Sequence, residues 1–231
     1  MSILVVTGTG TEVGKTVVCA AVVALALDRG RRVAVFKPVQ SGVGIGEPGD
    51  LAEITRLAGK ITSCELRRYS EPLAPETAAR RAGQPSVGLS EIVAAAITLD
   101  AEHHLVVIEG TGGLLVRFDA QGSTLADVAC SLEAPVLVVA QAGLGTLNMA
   151  ALTAEALAWR GVECTGVVIG RWPSEPDLAA RCNLVDLPSV AGAPLLGALP
   201  DGMAALSSSE FLAVARRSLA PKLGGNFDSR D

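Results

Sequence analysis

ILVVTGTGTEVGKT, residues 3–16, is the segment from which the fold class of this chain follows. Ile3–Val6 is a short β-branched apolar run, which is typical of a strand buried on both faces. A glycine-rich loop comes next, and the tripeptide Gly14–Thr16 opens an apolar segment that reaches Leu27. A strand, a glycine loop and a helix in this order predict a polyphosphate-binding loop, because N–H groups at a helix N-terminus face the anion.

Two side chains of this loop suit a bound polyphosphate. Lys15 supplies a mobile positive charge, and the Thr16 hydroxyl can hold Mg²⁺. The usual spelling has a glycine at position 9, where this chain has Thr9, and Gly8 lies one residue further out. An ordinary glycine-rich turn is the alternative, but the flanking strand and helix favour phosphate binding.

Composition argues against several classes of function. Hydrophobic residues make up 49% of the 231 residues, which is enough for a sizeable core. The net charge of -5, without a Lys/Arg-rich block, argues against nucleic acid as a partner. The first predicted helix is too short to span a membrane. Five cysteines without a C-x-x-C pair predict reduced, mostly buried thiols in a cytoplasmic protein. The two histidines, His103 and His104, are adjacent, so a zinc site is not expected.

Further strands alternate with helices along the chain. Strands are predicted over 32–36, 105–108, 136–140, 167–169 and 194–199. Helices are predicted over 51–57 behind an Asp50 cap, over 91–99, over 128–132 behind a Thr124–Asp127 capping box, and in two segments that end near Arg160 and Leu219. Residues 60–88 receive no firm assignment beyond one or two helical turns over 76–82. The pattern predicts an α/β fold, a single doubly wound, mainly parallel sheet flanked by helices, with one domain over 1–221 and a flexible tail over 222–231.

Four polar segments directly follow strands. They are TGTGTEVGKT (7–16), KPVQSG (37–42), EGTGG (109–113) and QAGLGTLN (141–148). Ligands of parallel sheets bind at the carboxyl ends of the strands, so we expect all four segments to converge on one edge.

Three of these segments contain candidate functional groups beyond the first loop. Glu109 ends its strand as a Walker B acid does, and we predict that it holds Mg²⁺ together with Thr16. Lys37 is either an exposed charge or a second cation for phosphoryl transfer. Asp50, in the loop that follows, is either a helix cap or a third metal-site acid. The glycines around Thr146 form a second anion site or a close loop-to-sheet contact.

Taken together, the segments resemble one known family. TGT-x-TEVGKT, KPV-x-SG, IEGTGG, LGTLN and PLLGALP extend from residue 4 to about residue 200 and are similar to the dethiobiotin synthetases, which have a P-loop NTPase-like fold. The resemblance implies an ATP- and Mg²⁺-dependent cyclo-ligase of biotin biosynthesis that acts on 7,8-diaminononanoate and CO₂. One amine would capture CO₂ as an N-carbamate, ATP would convert it to a carbamic–phosphoric mixed anhydride, and the second amine would close the ring.

The resemblance also implies roles for individual positions. Matches to the magnesium ligands are Thr16, Asp50 and Glu109, and matches to the catalytic residues are Lys37, Lys15 and Thr11. The nucleotide would contact Glu12, Val13, Gly14, Lys15, Thr16, Val17, Asp50, Glu109, Gly110, Thr111, Gly112, Gly170, Arg171, Pro200, Asp201 and Gly202. The diamine would contact Thr11, Lys37, Ser41, Gly113, Gly143, Leu144, Gly145, Thr146, Leu147 and Asn148. The last six of these would serve the neighbouring subunit, which implies a homodimer with sites at its interface.

Two glycines depart from the family pattern. Gly10 stands where many members have Asp, and Gly170 stands where members commonly have an Asn that reads the adenine edge. Because Gly170 has no side chain, we expect relaxed nucleotide choice, with CTP or other triphosphates accepted beside ATP.

The main alternative function is a P-loop switch ATPase of the partition or division-site type. That class has a signature lysine five residues before the P-loop lysine, and this chain has Gly10 there. Longer synthetase-like relatives normally carry an added domain, and a small-molecule kinase would need an arginine-bearing lid, which the sequence does not suggest.

Overall fold

A seven-stranded sheet organises the chain in the computed structural model, which describes residues 3–228. Its strands are β1 (Ile3–Gly8), β2 (Val33–Ser41), β3 (Thr62–Tyr69), β4 (Leu105–Gly113), β5 (Val136–Ala140), β6 (Cys164–Trp172) and β7 (Leu195–Pro200). They lie in the order β3-β2-β4-β1-β5-β6-β7, and every ladder is parallel. The predicted parallel, doubly wound sheet is confirmed.

Eight α-helices cover the two faces of this sheet within the described residues. They are α1 (Lys15–Asp28), α2 (Asp50–Ala58), α3 (Pro75–Ala82), α4 (Leu89–Glu102), α5 (Leu125–Ser131), α6 (Thr146–Trp159), α7 (Leu178–Ala191) and α8 (Ser208–Ser218). One core joins the sheet to α1, α2 and α8, and the other joins it to α3–α7. All six residues of β1 are buried, as an apolar strand at the centre of such a sheet requires. The chain crosses from one side of β1 to the other between β4 and β5, so a ligand crevice is expected beyond the carboxyl end of β1.

Two elements were absent from the sequence-based assignment. β3 lies at one edge of the sheet and is only partly buried, so its sequence TSCELRRY lacks a continuous apolar run. α7 contains Pro188, and several of its apolar side chains, such as Val185, face outward, which obscures helical periodicity. Both therefore lack the signals on which the other predictions depended.

Of the predictions for helix caps and cysteines, some are confirmed and others are wrong. The capping box of α5 is present, with the Thr124 N–H donating to Asp127 Oδ2 at 2.8 Å. The predicted Asp50 cap is wrong, because Gly49 is the N-cap of α2 and the Asp50 side chain pairs with a lysine instead. All five cysteines are free as expected, but only Cys19 is fully buried, so the prediction of mostly buried thiols is also wrong.

The C-terminal segment continues in contact with the sheet. Residues 221–223 form a 3₁₀ turn, and the N–H of Phe227 donates to Leu219 O at 2.9 Å. The division into a domain over 1–221 and a flexible tail over 222–231 stays a prediction, and residues 229–231 lie outside the described range. Within residues 3–228, the helices all fall short of the length and apolar character that a bilayer crossing demands.

Candidate active site

The phosphate loop joins β1 to α1 through a backbone that bends back on itself. Glu12 and Gly14 both have positive φ, 59° and 96°, and Gly14 is the N-cap of α1. A non-glycine residue in this region is strained, and such strain is often found at functional sites. Lys15 Nζ donates to Gly10 O at 3.0 Å, so the lysine folds back over its own loop. Burial lowers the pKa of Lys15, and the nearby charge of Lys37 lowers it further.

A buried lysine of β2 joins this strand to α2 and to β4. Lys37 Nζ lies 2.6 Å from Asp50 Oδ2 and 2.9 Å from Glu109 Oε1, and it also donates to Gly110 O at 3.3 Å. Burial alone would lower the pKa of Lys37, but the carboxylates of Glu109 and Asp50 outweigh it and raise the pKa above its ordinary value. Lys37 is only 3% exposed and paired with two carboxylates, so it is not the exposed surface charge considered above.

The residues expected to hold magnesium converge on the same point. The Thr16 hydroxyl donates to Glu109 Oε1 at 2.9 Å, and Asp50 reaches this cluster through Lys37. Glu109 is fully buried, and its Oε2 has no hydrogen-bond partner among residues 3–228. A buried carboxylate oxygen without a donor is a strong acceptor for a hard cation, and Mg²⁺ typically takes one or two carboxylates together with phosphate oxygens. These residues fit Mg²⁺, although no group of three or more His, Cys, Asp or Glu side chains with metal-binding geometry occurs in the described range.

A cavity of about 530 Å³ opens over this cluster. Its walls combine the first three polar segments with residues that directly follow two of them, with Asp50 at the start of α2 and with one residue from the end of β6. They are Thr11, Glu12, Gly14, Lys15, Thr16, Val17, Lys37, Gln40, Ser41, Val43, Asp50, Glu109, Thr111, Gly112 and Arg171. Thirteen predicted site residues therefore lie together in one crevice at the carboxyl edge of the sheet. Ser41 Oγ is buried and has no hydrogen-bond partner among residues 3–228, so it is available to a ligand.

Two cavity residues, Gln40 and Val43, were not predicted. Gln40 Oε1 accepts the N–H of Asp50 at 2.9 Å and so fixes the start of α2, which carries that carboxylate. Gln40 belongs to the KPVQSG segment, and its position directly before Ser41 at a strand end was a usable signal. Val43 stands in a glycine-rich loop, where the sequence contains no comparable cue.

Gly170 permits a close contact between β6 and the phosphate loop. A Cβ at this position would lie 2.1 Å from Val13 O and 3.1 Å from Gly14 Cα. No side chain fits there without moving the loop. The next residue, Arg171, lines the cavity, and its Nε lies 3.7 Å from Asp201 Oδ1. The neighbouring Pro200 pairs with β6, and Gly202 N donates to the same carboxylate at 3.0 Å, but none of these three predicted positions lines the cavity.

The fourth polar segment lies apart from this cavity. Residues 143–148 form the turn into α6, with Gly145 as a left-handed N-cap and Leu144 85% exposed. The four segments follow parallel strands and share the carboxyl edge of the sheet, as expected, but none of residues 143–148 lines the 530 Å³ crevice of the same chain. Gly113 lines a second, apolar cavity of about 290 Å³ beside α6, with Gly8, Thr9 and Leu152 among its walls.

The fold and the loop define a P-loop α/β nucleotide-binding protein. Its structure is similar to the cell division ATPase MinD of Pyrococcus furiosus, with a TM-score of 0.57 and 18% identity over 94% of this chain and 91% of that one. It is also similar to FtsY of Thermotoga maritima, with a TM-score of 0.53 and 20% identity over 92% of this chain and 67% of that one. At such low identity these likenesses show the fold alone.

Sequence comparison identifies the family within this class. A family model described as AAA domain matches residues 2–205. An ATP-dependent dethiobiotin synthetase BioD of Saccharopolyspora erythraea is 65% identical over 98% of this chain and 99% of its own length. The synthetase of the same name from Streptomyces coelicolor is 60% identical over 99% of this chain and 96% of its own. The chain belongs to the ATP-dependent dethiobiotin synthetase family, whose members are ligases that form carbon–nitrogen bonds.

Proposed function

We propose that this enzyme closes 7,8-diaminononanoate and CO₂ into dethiobiotin at the expense of ATP, in biotin biosynthesis. The observation that carries the proposal is the buried cluster of Lys37, Glu109 and Asp50 beside the phosphate loop. Together with Lys15 of the phosphate loop, this cluster places two lysines in the wall of a wide polar crevice. Membership of the synthetase family supports the reaction itself.

The reaction has three bond-forming steps. One amine attacks CO₂, forming a carbon–nitrogen bond and losing a proton, which gives the N-carbamate. A carbamate oxygen then takes the γ-phosphoryl group of ATP and releases ADP. The second amine attacks the carbamate carbon of this mixed anhydride and loses a proton, inorganic phosphate leaves with the shared oxygen, and the cyclic urea forms.

The chain's own residues would contribute mainly charge and position. Lys15 and Lys37 would offset the negative charge of the carbamate and of the phosphoryl group in transfer, which is where phosphoryl transfer needs stabilisation. Thr11 and Ser41 line the same crevice and would hold the two amines near one carbon. Mg²⁺, held by Thr16, Asp50 and Glu109, would neutralise phosphate charge when bound.

The rest of the diamine would lie along the second cavity and end at a neighbouring subunit. The apolar walls of that cavity, among them Leu114 and Leu152, suit an alkyl chain. Leu144, Leu152 and Trp159 are exposed on and beside α6, and such a cluster of apolar side chains favours a homodimer interface. The turn at 143–148 would then present the N-terminus of α6 to the substrate carboxylate of the partner.

One assay tests the proposed reaction. Purified protein receives diaminononanoate, bicarbonate, Mg²⁺ and ATP, and dethiobiotin is sought by mass spectrometry. We expect dethiobiotin, ADP and phosphate in equal amounts. ATP hydrolysis without dethiobiotin would reject the proposal in favour of the switch ATPase that the sequence left as the main alternative.

Nucleotide choice is the second part of the proposal. Gly170 offers no side chain to the base, and its close contact with Val13 leaves no space for one. We therefore expect comparable catalytic efficiencies with ATP and CTP, and a measurable rate with GTP, because discrimination between bases needs paired side-chain hydrogen bonds. Initial rates over a series of concentrations of each triphosphate check this, and a strong preference for ATP would contradict it.

A further inference from the structure

The turn that precedes α6 is fastened by a side chain from a different helix. Asn183 of α7 donates from Nδ2 to Ala142 O at 2.7 Å and to Gly143 O at 3.1 Å. Asn183 is 5% exposed, so these hydrogen bonds are shielded from water. Ala142 and Gly143 follow β5 and are outside any strand or helix, where a carbonyl lacks the partner that a regular ladder would supply.

An asparagine side chain fits this position better than an aspartate or a leucine of similar size. One Nδ2 atom carries two N–H groups and can serve two successive carbonyls at once. An aspartate would set lone pairs against both carbonyls, and a leucine of similar size would leave them unpaired in a buried setting. The contact therefore fixes the direction in which the turn at 142–145 leaves the sheet.

We propose that Asn183 is a positioning residue for substrate recognition: it holds the turn so that the N–H groups at the start of α6 face the carboxylate of the diamine. This inference rests on the proposed function, in which the turn at 143–148 receives that carboxylate. Asn183 itself touches no substrate atom. Its effect passes through the backbone of Ala142 and Gly143, one turn before the N-cap Gly145.

The kinetic experiment compares two substrates in three proteins. Asn183→Leu, Asn183→Asp and wild type are assayed with diaminononanoate and with its neutral primary amide, 7,8-diaminononanamide. In both variants we expect the preference for the acid over the amide to fall by about tenfold or more, since loss of a buried hydrogen bond costs about that factor. The KM for ATP should stay within about twofold, because the nucleotide crevice is formed by other elements.

A matched variant separates positioning from loss of stability. Leu187→Val trims a fully buried side chain on the same helix, one turn after Asn183. We expect it to lower the melting temperature while the acid-to-amide preference stays at the wild-type value. The same loss of preference in Leu187→Val would overturn the specific role of Asn183.

A second readout does not depend on turnover. In Asn183→Leu, hydrogen exchange at the amides of residues 143–146 should be faster than in wild type, and in Leu187→Val it should be unchanged. Unchanged exchange in Asn183→Leu, or an unchanged acid-to-amide preference in both Asn183 variants, overturns the inference. Absence of dethiobiotin from the wild-type reaction overturns the proposed function instead, and the substrate role of Asn183 falls with it.

Discussion

Lys37 shows how a single buried cation can organise a reaction centre. Its ammonium group is in direct contact with Asp50 and Glu109, and Glu109 also accepts the hydroxyl of Thr16. Two carboxylates this close would repel each other without a cation between them. The lysine therefore stabilises the arrangement that it would also use in phosphoryl transfer, so stability and activity depend on the same group.

Replacement of Lys37 should separate these two contributions. In Lys37→Ala we expect turnover to fall by about a thousandfold, because a cation that offsets phosphoryl charge typically contributes that much or more. Breaking the buried ion pairs should also cost about 3 kcal/mol of unfolding free energy, and Mg²⁺ should recover part of it by binding the freed carboxylates. Dethiobiotin formation and urea unfolding with and without Mg²⁺ measure both effects. The control is Lys222→Ala, which replaces a half-exposed lysine remote from the crevice. Near-normal turnover in Lys37→Ala would remove Lys37 from the mechanism.

The contact between β6 and the phosphate loop shows why two glycines of the same site differ. A Cβ at Gly170 would collide with Val13 O at 2.1 Å, whereas a Cβ at Gly10 would meet nothing within 4 Å. From the sequence both departed from the family pattern, and the loss of an adenine-reading side chain at Gly170 was the more serious of the two. The structure makes Gly170 a packing requirement and leaves space for a Cβ at Gly10.

Alanine at these two glycines gives a matched pair of variants. We expect Gly170→Ala to push the phosphate loop aside, lowering stability by about 1–3 kcal/mol and weakening nucleotide binding severalfold. We expect Gly10→Ala to bind nucleotide as wild type does, because its Cβ enters open space. Calorimetric titration with ATP and thermal unfolding distinguish the two. Wild-type affinity in Gly170→Ala would mean that β6 can move away from the loop at little cost.

Elements with a strong local signal were predictable, and those defined by tertiary contact were not. β1, β4 and β5 are apolar runs at the sheet centre, and the capping box at Thr124 marks its helix in the sequence alone. The edge strand β3 needs neighbouring β2 to define it.

The candidate site was likewise predictable only where local sequence signals exist. Loop and strand-end residues such as Lys15 and Glu109 follow from spacing, whereas the Gln40–Asp50 and Asn183–Gly143 hydrogen bonds join segments whose proximity only the fold reveals.

For the whole molecule, the proposed function requires an enzyme that is complete only as a pair of chains. The nucleotide crevice is built within one chain, but the turn at 143–148 points away from it with Leu144 exposed. Leu152 lines the apolar second cavity and is also 53% exposed, so this cavity opens onto the surface that a partner would cover. A lone protomer would therefore bind nucleotide and hold the diamine poorly.

A charge on that surface should uncouple the two halves of the site. Leu152→Glu is expected to shift the protein from a dimer to the 23.5 kDa monomer and to cut dethiobiotin formation by at least about tenfold, because burying an unpaired carboxylate in an apolar interface is costly. ATP affinity should be unchanged, since Leu152 lies outside the nucleotide crevice. Sedimentation velocity measures the oligomeric state, and calorimetric titration measures the affinity for ATP. The control is Ile97→Glu on the exposed side of α4, which should remain dimeric. A wild-type protein that is monomeric at assay concentration yet fully active would show that one chain forms the whole site, and the partner's turn would then have no part in binding the diamine.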